Sequence, residues 1–448
     1  MPSLPSEVWW KILAQATSLE SNLAMVRPSL ERLHPFFPGH ISGFSDTPFR
    51  SSQLAMWNYS NMLARNFVQV NRLWRGIAER FLYSAFYVEE EWRMQRFIDT
   101  VKLNPRLAEQ VRTLVILPHF CTRKEAGFDP LVLQVLGLCH GIDALVIQSG
   151  AFSSPLPLFE SLDTSRRLML LSALSLRNEE FPIFMINSGN YASLQTLELS
   201  VDSFNSDMLP SLPEHITFPS LQALILGNLD PLVLNVVGKW ELPSLKELSV
   251  SRWNPLINSV ALPLIQRSYD RLELFNTCID LLHDRTFHDI IRAPPLHLRN
   301  LTLNFQTTVC TSPPMYPSIR PFLYHVDTLG MSHFYMMRPG VEPAWVQFFS
   351  DPTYMPHLRS VLTDMTTHLL DLSVQFRRPF LEDLRSFEEE LEDRGVAFKG
   401  LADDHTLFIP IKLLQRDTRE VSISCLVIDR CSFPCQHQNA LPESVVST

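Results

Sequence analysis

One short pattern, apolar-x-x-apolar-x-apolar, recurs along most of this chain and limits what it can fold into. It reads Val111/Leu114/Ile116, Ile142/Leu145/Ile147, Leu171/Leu174/Leu176, Leu194/Leu197/Leu199, Leu221/Leu224/Leu226 and Leu245/Leu248/Val250. Tyr269/Leu272/Leu274, Leu298/Leu301/Leu303 and Val326/Leu329/Met331 continue it, and Ile423/Leu426/Ile428 repeats it near the end. Start-to-start separations through Val326 are 31, 29, 23, 27, 24, 24, 29 and 28 residues. Around Leu358 the pattern fails, with Thr363 in the third place. The second and third positions lie two apart, so on a short strand they face the same way, into a core. The first marks the turn that enters the strand. One such strand cannot bury its face alone, but stacked neighbours make a continuous apolar column.

The stretches between strands supply the opposite wall. Phe287/Ile290/Ile291 in "RTFHDIIRAPP" and Trp345/Phe348/Phe349 in "EPAWVQFFSDP" have helical spacing and end at Pro. Strand, turn, short helix and return make one unit, and the interval falls in or near the range of leucine-rich repeats. The expectation is an irregular leucine-rich-repeat-like α/β solenoid over residues 89–436. The rival is an ordinary α/β domain whose buried strands share the pattern. The Asn that often follows such strands is occasional here, at Asn178 and Asn304. Residues 380–394 predict an amphipathic helix with Phe380, Leu384, Phe387 and Leu391 on one stripe and Gly395 as its C-cap. Residues 437–448 lack periodicity and read as a tail. "GNLDP" at 227–231 and "SRWNP" at 251–255, with Trp253, are candidate contact loops at one rim.

Composition narrows the function classes. At 448 residues the chain exceeds the size at which one compact core stops growing, so several domains or an elongated array are expected. A net charge of −9 argues against nucleic acid as a general partner, and Arg72, Arg75 and Arg80 read as a solvated helix face. Seven scattered cysteines do not suggest a disulfide scaffold. No apolar run reaches the ~18 residues of a membrane span, and the N-terminus does not read as a signal peptide, so cytosol or nucleus is expected. Nucleophile-elbow, phosphate-loop and dinucleotide motifs are lacking. Cys425, Cys431, Cys435 and His437 lack the paired knuckle of a zinc site. His283-Asp284 and His288-Asp289 fall on diverging helix faces and read as surface residues. No catalytic residue, metal or cofactor is expected.

The N-terminus carries a different signal. In "SLPSEVWWKILAQA" (residues 3–16), Val8, Ile12, Ala16, Trp9, Leu13 and Trp10 occupy an arc of about 200° on a helix, roughly twice the width an ordinary surface helix needs. Glu7, Lys11 and Gln15 share the remainder. More of the chain or another molecule must cover the excess.

This segment resembles the first helix of an F-box: Leu4, Pro5, Glu7, Val8, Ile12 and Leu13 fit that pattern. "VQVNRLWRGIAERFLYSAFYV" is similar to the family's later helix, with Val70, Trp74, Ile77 and Ala78 in place and Asn71 where Cys is usual. The order of F-box, helix and repeats is similar to many fungal F-box proteins with leucine-rich-like repeats. The resemblance implies an all-helical module over 1–88 that docks on a Skp-family adaptor, joining a cullin–RING ubiquitin ligase, while the repeats hold a client protein. Implied docking residues are Leu4, Pro5, Val8, Trp9, Ile12, Leu13, Val70, Trp74 and Ile77, with Trp9 more exposed than Trp10. Residues 19–53 read as an insertion between the first helix and a second at "LAMWNYSNMLARNF". On the adaptor-facing side it would block docking. The alternative is a repeat scaffold without the ligase link, and an unrecognised hydrolase is a third class.

Overall fold

The computed structural model describes residues 6–16, 63–88, 91–116, 128–147, 168–176, 180–201, 204–213, 215–250, 255–291, 297–305, 313, 316, 318–332, 342–363, 388–402 and 405–409. Helices α1 (Ser6–Ala16), α2 (63–70) and α3 (Arg72–Ser84) come first. Strands follow: β1 (Ala85–Val88), β2 (Thr113–Ile116), β3 (Ala144–Ile147), β4 (Leu170–Leu176), β5 (Thr196–Val201), β6 (Ala223–Leu229) and β7 (Glu247–Val250). Then come β8 (Leu274–Cys278), β9 (Asn300–Asn304), β10 (Thr328–Ser332), β11 (Ser360–Thr363), β12 (Ala397–Ala402) and β13 (His405–Ile409).

These thirteen strands form one sheet whose spatial order equals their order in the chain. Every pairing from β1 to β12 is parallel, and β13 closes the edge antiparallel to β12. The chain is thus an α/β protein with a parallel sheet, and short helices fill the returns. β1 continues directly from α3, so the sheet begins inside the 1–88 segment.

Register shows why the apolar triad recurs. Leu114, Leu145 and Leu171 are direct partners on neighbouring strands, as are Leu197, Leu224 and Leu248. Phe275, Leu301, Leu329 and Val361 carry the row onward. Residues three earlier, such as Val111, Ile142, Leu194 and Leu221, are buried as they enter the strand. Two assigned triads prove shifted by three residues. Leu171 holds the second position, with Leu168 first. Phe275 holds the second position of the next misread unit, with Leu272 first and the fully buried Thr277 third. The unit around Leu358 does not break the sheet either: Val361 pairs with Leu329, and Thr363 with Met331. The unit at Ile423 lies outside the described residues.

A backbone device fixes the spacing. The carbonyl of Arg112 accepts the N–H groups of both Asp143 and Ala144, at 2.9 and 3.1 Å. The same position in each later unit, from Asp143 to Asp327, does likewise for the next strand. Parallel strands so linked cannot slip without breaking a shared rung at each step.

One core runs from Val88 to Val396. Trp345 is fully buried against Phe305 and Phe349, and Phe287 meets Phe322 edge to face. Pro231 starts the helix Pro231–Val237, where its missing N–H is harmless, and Asp230 caps it by accepting from Leu232 at 2.8 Å. "GNLDP" is therefore a strand end and a helix cap, not an open rim loop; 251–254, with Trp253, lie outside the described residues. Helix 388–393 ends as expected at Gly395, φ +72°. Val396 N–H donates to Leu391 and Gly395 N–H to Glu392, a paired C-terminal closure. Phe380, Leu384 and Phe387 lie outside the described residues.

Candidate docking surface

The N-terminal helices have their own small core of Leu13, Ala64, Ile77 and Phe81, separate from that of the sheet. Its formation follows from local chemistry. Asn71 interrupts the helix that α2 begins, and its carboxamide oxygen accepts from Trp74 N–H at 2.9 Å, starting α3. Trp74 then meets Trp9 of α1 at 4.8 Å between ring centroids and Phe67 of α2 edge-on at 5.5 Å. Trp10 reaches Phe81 at 5.8 Å on the other flank of α1.

This packing covers the middle of the α1 arc and leaves both edges open. Val8 is 37% exposed, Ile12 42% and Trp10 39%. Val70 and Leu73, at the junction of α2 and α3, are 56% and 47% exposed. The sequence-predicted docking set therefore divides. Val8, Ile12 and Val70 are open to solvent; Trp9 and Trp74 are half-buried against each other; Leu13 and Ile77 are interior. Leu4 and Pro5 lie outside the described residues. Two expectations are corrected. Trp10, not Trp9, is the more exposed indole, because Trp9 is held by Trp74. Val70 ends α2 instead of opening α3, because Asn71 is a cap.

Sequence reasoning passed over Leu73, whose i+1 offset from Arg72 hid it in a basic stretch. It took Arg72, Arg75 and Arg80 as a solvated helix face without joining Lys11 and Arg65 to them. Lys11, Arg65, Arg72, Arg75 and Arg80 are all exposed on these three helices, in a chain of net charge −9.

The histidines expected at the surface are not all there. His288 is 7% exposed; its Nδ1 is 2.7 Å from the Ser318 hydroxyl and its Nε2 2.8 Å from the Leu282 carbonyl. Burial lowers its pKa, against the raising influence of the Leu282 carbonyl, Asp284 and Asp289, so the neutral ring is favoured. These two bonds tie residues six and thirty positions away to one ring, a cross-link between neighbouring units. Asp284 caps the helix Arg285–Ile290. Cys139 and Cys278 are buried thiols, and Cys278 Sγ lies 3.4 Å from Asp280 Oδ2; the four residues weighed for zinc lie outside the described residues. Among the described residues no cluster of His, Cys, Asp and Glu could hold a metal, and no helix is long and apolar enough to cross a membrane.

Fold and surface together define an α/β protein with a single-file parallel sheet and a separate helical module bearing exposed apolar side chains. The chain matches no family model, and no curated protein is similar to it.

Proposed function

We propose that the chain is a non-catalytic substrate adaptor of a cullin–RING ubiquitin ligase. Its N-terminal helices act as an F-box-like module that docks on a Skp-family adaptor, and its sheet and returns act as a leucine-rich-repeat-like solenoid that holds a client protein. One observation carries the reading: Val8, Ile12, Val70 and Leu73 stay exposed on a module whose own core is already closed by Leu13, Ala64, Ile77 and Phe81. Val8 and Ile12 lie one turn apart on the same edge of α1, and exposed apolar side chains grouped in this way suit a contact surface. Anchors of this kind contribute about 1.5–3 kcal/mol each when fully buried by a partner. The exposed cations on the same three helices favour an acidic partner face.

The test is co-purification of the full chain with a Skp-family adaptor, comparing wild type with the pair V8D and I12D. Both positions are exposed, so the variant keeps its circular dichroism and melting temperature. Loss of adaptor capture from that folded variant supports the reading. A folded wild type with no adaptor affinity assigns the chain to the alternative, a repeat scaffold without ubiquitin-ligase association.

A further inference from the structure

Away from the docking surface, one ring joins the returns that follow β8 and β9. His288, on the helix Arg285–Ile290, is enclosed, with Nε2 2.8 Å from the Leu282 carbonyl and Nδ1 2.7 Å from the Ser318 hydroxyl. A carbonyl can only accept, so Nε2 carries the hydrogen and Nδ1 accepts from Ser318. Ser318 starts the helix Ile319–Leu323 of the next unit, and the Tyr316 ring lies 3.9 Å from the imidazole. Between these two helices and the sheet is an apolar void lined by Phe275, Phe287, Leu298 and Phe322, too small to hold a water. Walls that face a void forfeit contacts, so packing alone joins the two returns incompletely. The His288–Ser318 bond adds a polar connection that this packing lacks.

We infer that His288 is an acid-released latch between the β8 and β9 returns. A proton taken from solvent at Nδ1 removes the acceptor that the Ser318 hydroxyl uses, while Nε2 goes on donating to Leu282. Release is therefore one-sided: the helix Ile319–Leu323 is freed, and His288 stays with its own unit. Ser318 keeps the contact only by turning its hydrogen away, which leaves a cation enclosed. Burial holds the ring's pKa below its ordinary 6.5, against the raising influence of the Leu282 carbonyl, Asp284 and Asp289. Asp284 is already engaged by the N–H groups of Thr286 and Phe287, at 2.8 and 3.3 Å. On the turn Ile279–His283, Asp280 is directed at Cys278 and His283 at Trp345. In the next unit Arg320 is held over the Tyr354 ring at 5.1 Å. The folded chain binds the proton more weakly than the unfolded one, so the link is complete above pH 6.5 and lost as pH falls below it.

Full-length protein is followed by hydrogen exchange and peptide mass spectrometry, corrected for intrinsic rates, from about pH 7.5 to about pH 5. The peptide holding Ile319–Leu323 is expected to lose protection about tenfold relative to those of β5 and β6. S318A, at a partly exposed position, should start with the lower protection near neutrality and lose no more in acid. H288Q should show a flat profile as well. S318A carries the test even if H288Q does not fold. A loss shared equally by all strands, or one that persists in S318A, would overturn the inference. His288 ring signals that titrate above pH 6.5 in ¹H–¹⁵N spectra would overturn it too.

Discussion

Glu247 shows how a single side chain can set the pH response of a sheet. It sits on β7 with only 5% of its surface exposed, beside Ala223 of β6 and Leu274 of β8 in register. Burial, reinforced by nearby Glu273 and opposed by Lys246, pushes its carboxyl up to about 8. Lys246 meanwhile pairs with Glu273 at 2.8 Å. The folded chain thus keeps a proton that the unfolded chain releases above its ordinary value of 4.5. Stability contributed by the neutral acid is lost as pH rises from about 4.5 towards 8, by up to about 1.4 kcal/mol per pH unit. E247Q should flatten that part of the profile, so the melting temperatures of wild type and variant should diverge between pH 5 and 8. Parallel curves would show that Glu247 is ionised in the fold. Gly227 makes a second residue-scale case. A Cβ there would lie 2.0 Å from the Ser200 hydroxyl on β5. G227A should destabilise by about 1–3 kcal/mol, and adding S200A should recover most of it. A double-mutant cycle in urea with no coupling would refute this packing. Neither residue was visible in the pattern, because both depend on what the adjacent strand places opposite them.

At the scale of elements, the pattern was readable where Leu, Ile, Val or Met filled all three places and misleading where Phe or Thr took one. At β8 the second place is Phe275 and the third Thr277, so Leu272 and Leu274 offered a false match three residues early. Tyr269, the supposed first position, is buried for another reason: it opens the 3₁₀ turn before the strand, and its ring stacks with Phe322 at 6.5 Å. Thr363 was read as a break, although hydrogen bonding and not side-chain greasiness decides whether β11 joins the sheet. The C-cap at Gly395 was predictable because only a positive φ was required. The cap at Asn71 was not, because its resemblance to a Cys position hid its helix-starting role. N71A should leave Trp74 N–H without its acceptor and cost about 1 kcal/mol. The N-terminal module's thermal transition, followed by the fluorescence of Trp9 and Trp74, should fall in N71A and be largely restored by N71D. An unchanged transition would mean that α3 is started by packing alone.

Across the whole molecule, two cores of very different size share one chain. The sheet core runs from Val88 to Val396, and the units from β2 to β11 are each locked to the next by the shared-carbonyl rungs. Among the described residues the helical core has four buried members and a half-buried aromatic fringe of Trp9, Phe67 and Trp74. Sequence periodicity revealed the first because it repeats. It revealed only the greasy arc of the second, since which part of that arc faces inward depends on helices brought together from residues 63–84. A core of this size among the described residues should open without disturbing the sheet. Native-state hydrogen exchange is therefore expected to show α1 and α3 exchanging through a low-energy opening. Amides of β5 to β10 should exchange only through unfolding of the array, where nearest-neighbour coupling is strongest. A docking partner that buries Val8, Ile12, Val70 and Leu73 should raise the protection of α1 and α3 alone, because those side chains belong to the smaller core. Equal protection of both parts in the free chain would mean that the module is welded to the sheet through α3 and β1, and its exposed residues would then be rigid features of one folding unit.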